Sequence, residues 1–141
     1  MKNILSFIMA SIILLSLSDC KNPHGPDIEP KAILTIRLET EPVVFYYFYG
    51  WYCSNGIIIS EINGVGGHID GGLLEFLYEG AIYESKNYEG KGFNAYESWT
   101  IHDTIYPKYT GYNQARVTIT GKDDNGHNIK VVKIFSVYWD E

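Results

Sequence analysis

Hydrophobic and polar positions divide the chain into three regimes. From Ile4 to Leu17 the residues are apolar with only Ala10 and serines softening the run, and Lys2 precedes it. Residues 21–31 are polar and contain Pro23, Gly25, Pro26 and Pro30. From Ala32 onward, short stretches alternate between apolar and polar side chains, which is the period-two signature of half-buried strands.

The first such stretch places Leu34, Ile36 and Leu38 on one side and Thr35, Arg37 and Glu39 on the other, and Glu41-Pro42 ends it. Val43 to Cys53 follows with Phe45, Tyr46, Tyr47, Phe48, Tyr49, Trp51 and Tyr52 nearly unbroken, and reads as a strand with rings on both faces. Ser54-Asn55-Gly56 reads as a turn or irregular point. Ile57 to Ile62 predicts a short buried strand, closed by the glycines at 64, 66 and 67, which supply a turn or a bulge. Leu73 to Tyr78 and Ala81 to Tyr83 predict strands on either side of Glu79-Gly80. The polar, glycine-bearing residues 84–95 predict loop or edge structure. Tyr96 to Ile105 alternates again until Pro107.

The best-defined local signal is a hairpin, in which Ala115 to Gly121 and Asn128 to Trp139 flank Asp123-Asp124-Asn125-Gly126. Asn-Gly supplies the positive φ that tight hairpin turns require. In its second arm Ile129 and Val131 share one face while Val132 and Ile134 share the other, which predicts either a bulge or cover on both faces.

These elements predict an all-β fold: a two-sheet antiparallel immunoglobulin-like β-sandwich of about seven to eight strands over residues 32–141. The Cys…Trp…Cys spacing of antibody domains is missing, because Cys53 is the only cysteine after Cys20. The stretches NGVGG at 63–67 and ARVTITGKDDNGHNIKV at 115–131 resemble bacterial secreted proteins with immunoglobulin-like or fibronectin III-like sandwiches. The resemblance rests on turn chemistry between Ile57 and Ile134 and brings no functional residues with it.

The N-terminal run is too short for a bilayer core, which needs about 20 residues, and suits the apolar region of an export signal. Residues 1–20 are therefore expected to be a signal peptide and residues 21–31 a proline-rich tether, since proline at that density favours extended chain. Leu17-Ser18-Asp19-Cys20 resembles the lipobox of bacterial lipoproteins, and the resemblance implies that Cys20 is lipidated, becomes the mature N-terminus and anchors the protein to the cell envelope or outer membrane. Asp19 stands where that pattern has a small uncharged residue, so a second reading stays open. Cleavage after Ser18, with Ser16 and Ser18 as the small residues, gives a secreted or periplasmic protein with an unmodified Cys20. In the first case Cys53 is a lone thiol and is expected to be buried. In the second, a Cys20 to Cys53 disulfide would clip the tether to the domain.

The net charge of −6 and the scattered Lys and Arg exclude a nucleic-acid binder, which needs a basic patch to displace counterions. No catalytic residues, metal ligands or cofactors are assigned: HExxH, GxSxG and CxxC are missing, and the glycines at 64–67 do not make GxGxxG. His68 with Asp70, and His102 with Asp103, are expected to be solvated surface pairs. Asp123, Asp124 and Asn125 are expected to serve the turn rather than calcium. Alternation puts Tyr47, Tyr49 and Trp51 on one face of the aromatic strand, where they are the candidate ligand-facing rings.

The chain is thus expected to be a non-catalytic envelope or secreted lipoprotein, an adhesion or assembly module for an envelope or extracellular protein. The alternative is a carbohydrate-binding module using that aromatic face. Coplanar exposed rings would favour the glycan. If Cys20 carries the lipid, Cys20→Ala moves the protein from the membrane fraction to the soluble or unprocessed pool, because stable anchoring needs more than one acyl chain. Mass spectrometry of the mature N-terminus checks this, and an unmodified peptide beginning at Asp19 supports the second cleavage reading.

Overall fold

The computed structural model describes residues 28–140; the signal-like segment, Cys20, the tether up to residue 27 and Glu141 lie outside the described residues. Eight strands follow one another: β1 (Leu34–Leu38), β2 (Val43–Tyr47), β3 (Trp51–Glu61), β4 (Gly67–Tyr78), β5 (Ala81–Phe93), β6 (Ser98–Ile105), β7 (Gln114–Asp123) and β8 (Asn128–Asp140). β3 is flanked by β1 and β6, and the order β2-β8-β7-β4-β5 completes the pairing. The two sets join where Tyr46 and Tyr47 of β2 pair with Tyr52 and Trp51 of β3.

β2 runs parallel to β8, from Val43 opposite Val137 to Tyr46 opposite Asp140. This corrects the expectation of purely antiparallel pairing, since the remaining pairs alone are antiparallel. The physical reason is chain direction. β1 and β2 are successive pieces of one path broken at residues 39–42, and the second piece keeps to β3 only at Tyr46 and Tyr47 while Val43 to Tyr46 lie beside β8.

In β1, Leu34, Ile36 and Leu38 are buried and Thr35 and Arg37 exposed, as the alternation predicts. Ser54-Asn55-Gly56 is strand, not turn. Asn55 accepts the N–H of Thr40 at 3.3 Å and its amide donates to the Thr40 carbonyl at 2.8 Å. Gly56 leaves room for the Glu39 side chain to lie across β3. The polar segment after residue 84 belongs to β5, an edge strand paired to β4, whose inward positions Glu84, Tyr88 and Lys91 before buried Phe93 are too polar for a sequence pattern to show. β8 keeps an uninterrupted register with β7. Ile129, Phe135 and Val137 point inward, while Val132 and Ile134 remain exposed, so the arm has neither bulge nor outer cover.

Side chains of β1, β2 and β3 share one buried cluster with those of β4, β7 and β8. Its densest part is aromatic. Phe45, with no exposed surface, stacks on Trp139 at 4.6 Å and meets Phe76 edge-on at 5.5 Å. A cavity of about 30 Å³ beside Cys53 and Tyr88 is lined from both sets of strands.

Two buried carboxylates fasten the connections at one end of the fold. Glu61, only 2% exposed, accepts the backbone N–H groups of Ile33 at 3.2 Å and Asn63 at 2.8 Å on one oxygen, and of Gly64 at 2.8 Å and Tyr96 at 2.9 Å on the other. Asp123 accepts the N–H of Ala32 at 3.1 Å and of His127 at 2.8 Å, and lies 3.0 Å from the His127 ring. The amides of Asn63 and Asn125 donate to the carbonyls of Lys31 and Pro30, both at 2.7 Å. The segment leading into β1 is therefore tied to the β3–β4, β5–β6 and β7–β8 connections. Burial pushes both carboxyls up, but the backbone donors outweigh it and hold them below the usual carboxylate range.

A folded-state value below the unfolded one means that the stabilisation is complete above the unfolded value, near pH 4, and is lost as pH falls through the folded value. Chemical denaturation is therefore expected to show stability falling below about pH 4, with a shallower fall in Glu61→Gln. At neutral pH that variant turns an NH₂ toward two backbone donors and should cost about 2–4 kcal/mol. At the hairpin tip Gly126 has φ +84° with open space around it. Gly126→Val should cost about 1 kcal/mol through backbone strain alone, read as a lower denaturation midpoint.

Candidate functional site

The aromatic run is not one strand. β2 stops at Tyr47 and β3 starts at Trp51, and the chain reverses through Phe48-Tyr49-Gly50, with Phe48 N–H donating to the Gly50 carbonyl at 3.0 Å. Tyr49 and Gly50 both have positive φ, +56° and +145°. Gly50 permits the reversal, and its strand-forming neighbours hide it from the sequence pattern. The rings at 47, 49 and 51 therefore do not share the face of one strand. Tyr47 and Trp51 lie opposite each other on adjacent strands, and Tyr49 stands at the apex, 96% exposed.

Around that apex Tyr46, Tyr47 and Phe48 are also exposed, and the rings are inclined to one another. Phe48 meets Tyr49 at 75° and 4.8 Å, Tyr47 meets Trp51 at 65° and 5.4 Å, and Tyr46 meets Tyr52 at 42° and 6.2 Å. They form a convex knob rather than a flat platform. Trp51 is its root, half-buried with its ring edge-on to Trp139 at 4.9 Å.

Register fixes where the knob stands. Tyr46 is level with Asp140 at the end of β8, and Leu77 is level with Gln114 at the start of β7. The β2–β3 turn, the β4–β5 turn and residues 106–113 therefore occupy one pole. The segment leading into β1 is bonded to the β3–β4 and β7–β8 turns at the other.

A second aromatic group lies at the knob's pole. Glu79 and Gly80 turn β4 into β5 with φ of +49° and +81°, which brings Tyr78 and Tyr83 together at 6.3 Å and 80°. Tyr109, from the loop between β6 and β7, meets Tyr83 at 6.5 Å and 70°. Tyr78, Tyr83, Lys108, Tyr109 and Thr110 line a groove of about 630 Å³. A hollow of about 300 Å³ adjoins it, sharing Tyr83, Lys108 and Tyr109 and adding Glu84 and Ser85.

That loop is held firmly. Tyr112 is buried, stacks on Phe76 at 5.3 Å and 21°, and donates its hydroxyl to Glu84 Oε2 at 2.7 Å. The same oxygen accepts the Lys108 N–H at 3.1 Å. Trp139 Nε1 donates to the Tyr112 carbonyl at 2.9 Å, and Asn113 bonds Leu77 and Val137 through its N–H and carbonyl. Burial and the Glu84 acceptor push the Tyr112 phenol upward, so it remains a donor. Sequence reasoning missed this group because its rings come from three segments. The one local sign was Tyr106, Tyr109 and Tyr112 recurring in a loop marked by Pro107 and Gly111.

The remaining candidates fall elsewhere. Cys53 is buried as expected, and burial pushes its thiol up to about 11, with a bond from the Val44 backbone opposing; its pairing with Cys20 lies outside the described residues. His68 and Asp70 are exposed. His102 and Asp103 face different partners. His102 lies 3.5 Å from Glu39, whereas Asp103 accepts from Tyr88 at 2.8 Å and pairs with Lys86 at 2.6 Å, joining β6 to β5 instead of standing in solvent. Among the described residues no three His, Cys, Asp or Glu side chains converge as a metal site.

No family model matches the chain, and no curated protein is similar to it in sequence. Among solved structures, it is similar to the CARDB domain of a Pyrococcus furiosus protein in complex with di-metal ions, with 15% identity and a TM-score of 0.43 over 78% of this chain and 96% of that one. The sporulation control protein Spo0M of Bacillus subtilis gives 13% identity and a TM-score of 0.46 over 77% and 49%. The β-glucosidase of Listeria innocua in complex with glucose gives 11% and 0.42 over 76% and 16%. These likenesses are of backbone, and they bring no residue role to this chain.

Proposed function

We propose that the eight strands form a two-layer immunoglobulin-like sandwich and that the protein is a non-catalytic, exported binding module, anchored at the cell envelope through a lipidated Cys20. The partner is an envelope or extracellular protein. The layering is supported by the two strand sets sharing one core.

The observation that carries the functional reading is the separation of the two poles. The chain comes in at the pole fastened by Glu61 and Asp123, and the exposed rings stand at the opposite one. A tether attached at the first pole points the second away from the membrane. Tyrosine and phenylalanine combine large contact area with few rotatable bonds, which makes an exposed cluster of them effective in protein recognition. Inclined rings on a convex turn fit a pocket in a partner, whereas a sugar is held by ring faces and polar groups that line a concave surface.

Capture of partners from envelope extracts by the full chain tests this reading against the double variant Tyr47→Ser/Tyr49→Ser. Both residues are exposed, so the variant should melt like the wild type while losing the captured partner. Retention of every captured protein by a correctly folded double variant would overturn the assignment.

A further inference from the structure

We propose that the groove walled by Tyr78, Tyr83 and Tyr109 is a second recognition site, and that it takes a neutral saccharide. It rests on reading this pole as the recognition end, but on residues other than the knob. The groove is concave where the knob is convex, and at about 630 Å³ it lies in the size range of small-molecule sites. Its walls join apolar ring surface to polar groups, the pairing a sugar demands, since a pyranose has apolar C–H faces and a rim of hydroxyls.

Those polar groups are of both senses. Lys108 offers an ammonium donor and Thr110 a hydroxyl in the groove, and Glu84 and Ser85 line the adjoining hollow across the shared Tyr83 and Tyr109. Among the described residues both bonds to Glu84 fall on Oε2, which leaves Oε1 for a ligand hydroxyl. Vicinal hydroxyls donate and accept together, so a carboxylate and an ammonium beside ring faces suit them better than they suit the carbonyl-only rim of an extended proline-rich peptide. The site is also preorganised. Lys108 and Tyr109 sit in a loop fixed by the Tyr112–Glu84 bond and by the Trp139 indole, which lowers the ordering cost of binding.

Titration of the full chain with maltohexaose, cellohexaose, xylohexaose and chitohexaose, followed by NMR shifts and calorimetry, tests the proposal. Saturable binding to at least one is expected, weakened about tenfold or more by Tyr83→Ala and by Tyr109→Ala. Lys108→Ala should also weaken it without affecting the fold, because the bond to Glu84 comes from the main-chain N–H. Tyr47→Ser/Tyr49→Ser should leave it unchanged, which separates this site from the knob. Lack of saturable binding to all four sugars overturns the proposal. So does binding indifferent to Tyr83 and Tyr109, or saturation of the groove by a proline-rich peptide instead.

Discussion

Glu61 satisfies four backbone donors that no ladder can reach. Connections between strands leave N–H groups without a sheet partner, and a buried one left unpaired costs more than a hydrogen bond contributes. One carboxylate at the end of β3 serves the segment before β1, the β3–β4 turn and the β5–β6 connection at once. Asp123 does the same for Ala32 and the β7–β8 turn, and Glu97 for Asn94. Part of the acidic excess of this chain is therefore internal fastening. Without it, the lead-in from residue 28 would have only the Asn63 and Asn125 amides and the short β1 ladder to hold it.

At the opposite pole the same chemistry builds a surface. Glu84 takes the Tyr112 hydroxyl and the Lys108 N–H, and this bond pair together with the Phe76 stack turns a connection of eight residues, 106–113, into a fixed wall. The aromatic core below, Phe45 on Trp139 with Trp51 against it, supports the knob in the same way. Recognition side chains placed on rigid supports lose less entropy when a partner binds. The rings at this pole are exposed, but the backbone that presents them is tied to the core on each side.

Period-two alternation was readable wherever a strand has one buried and one solvated face, as in β1, and the turn chemistry of Gly126 marked the β7–β8 hairpin directly. It misled where every residue favours strand. Between Val43 and Tyr52 the single Gly50 is the only breaker, while the turn-like Ser54-Asn55-Gly56 is kept in β3 by bonds to Thr40 that no local pattern encodes. β5 was obscure because its inward positions include Glu84 and Lys91 beside Tyr88, so the strand has no apolar period. For Tyr47, Tyr49 and Trp51 the period-two parity that put them on one face has no meaning, because the chain reverses between them. The groove was not legible at all, since only tertiary pairing brings Tyr78, Tyr83 and Tyr109 together.

Among the described residues three that are not glycine have positive φ: Tyr49, Glu79 and Tyr96. Tyr49 and Tyr96 are the two tyrosines with positive φ, a conformation that costs a non-glycine residue about 1 kcal/mol or more. For Tyr96 the fold supplies a reason, because its N–H is one of the four donors to Glu61 and its ring covers Gly64. Tyr49 has its ring in solvent at the apex of the turn, where glycine or asparagine would meet the same φ at less cost. The chain thus bears two penalties at one position, a strained backbone and an exposed ring. Within the described residues its ring meets Phe48 and is otherwise almost wholly in solvent. Strain of this kind clusters at functional sites, and that motivates the proposed reading of the knob as a recognition element.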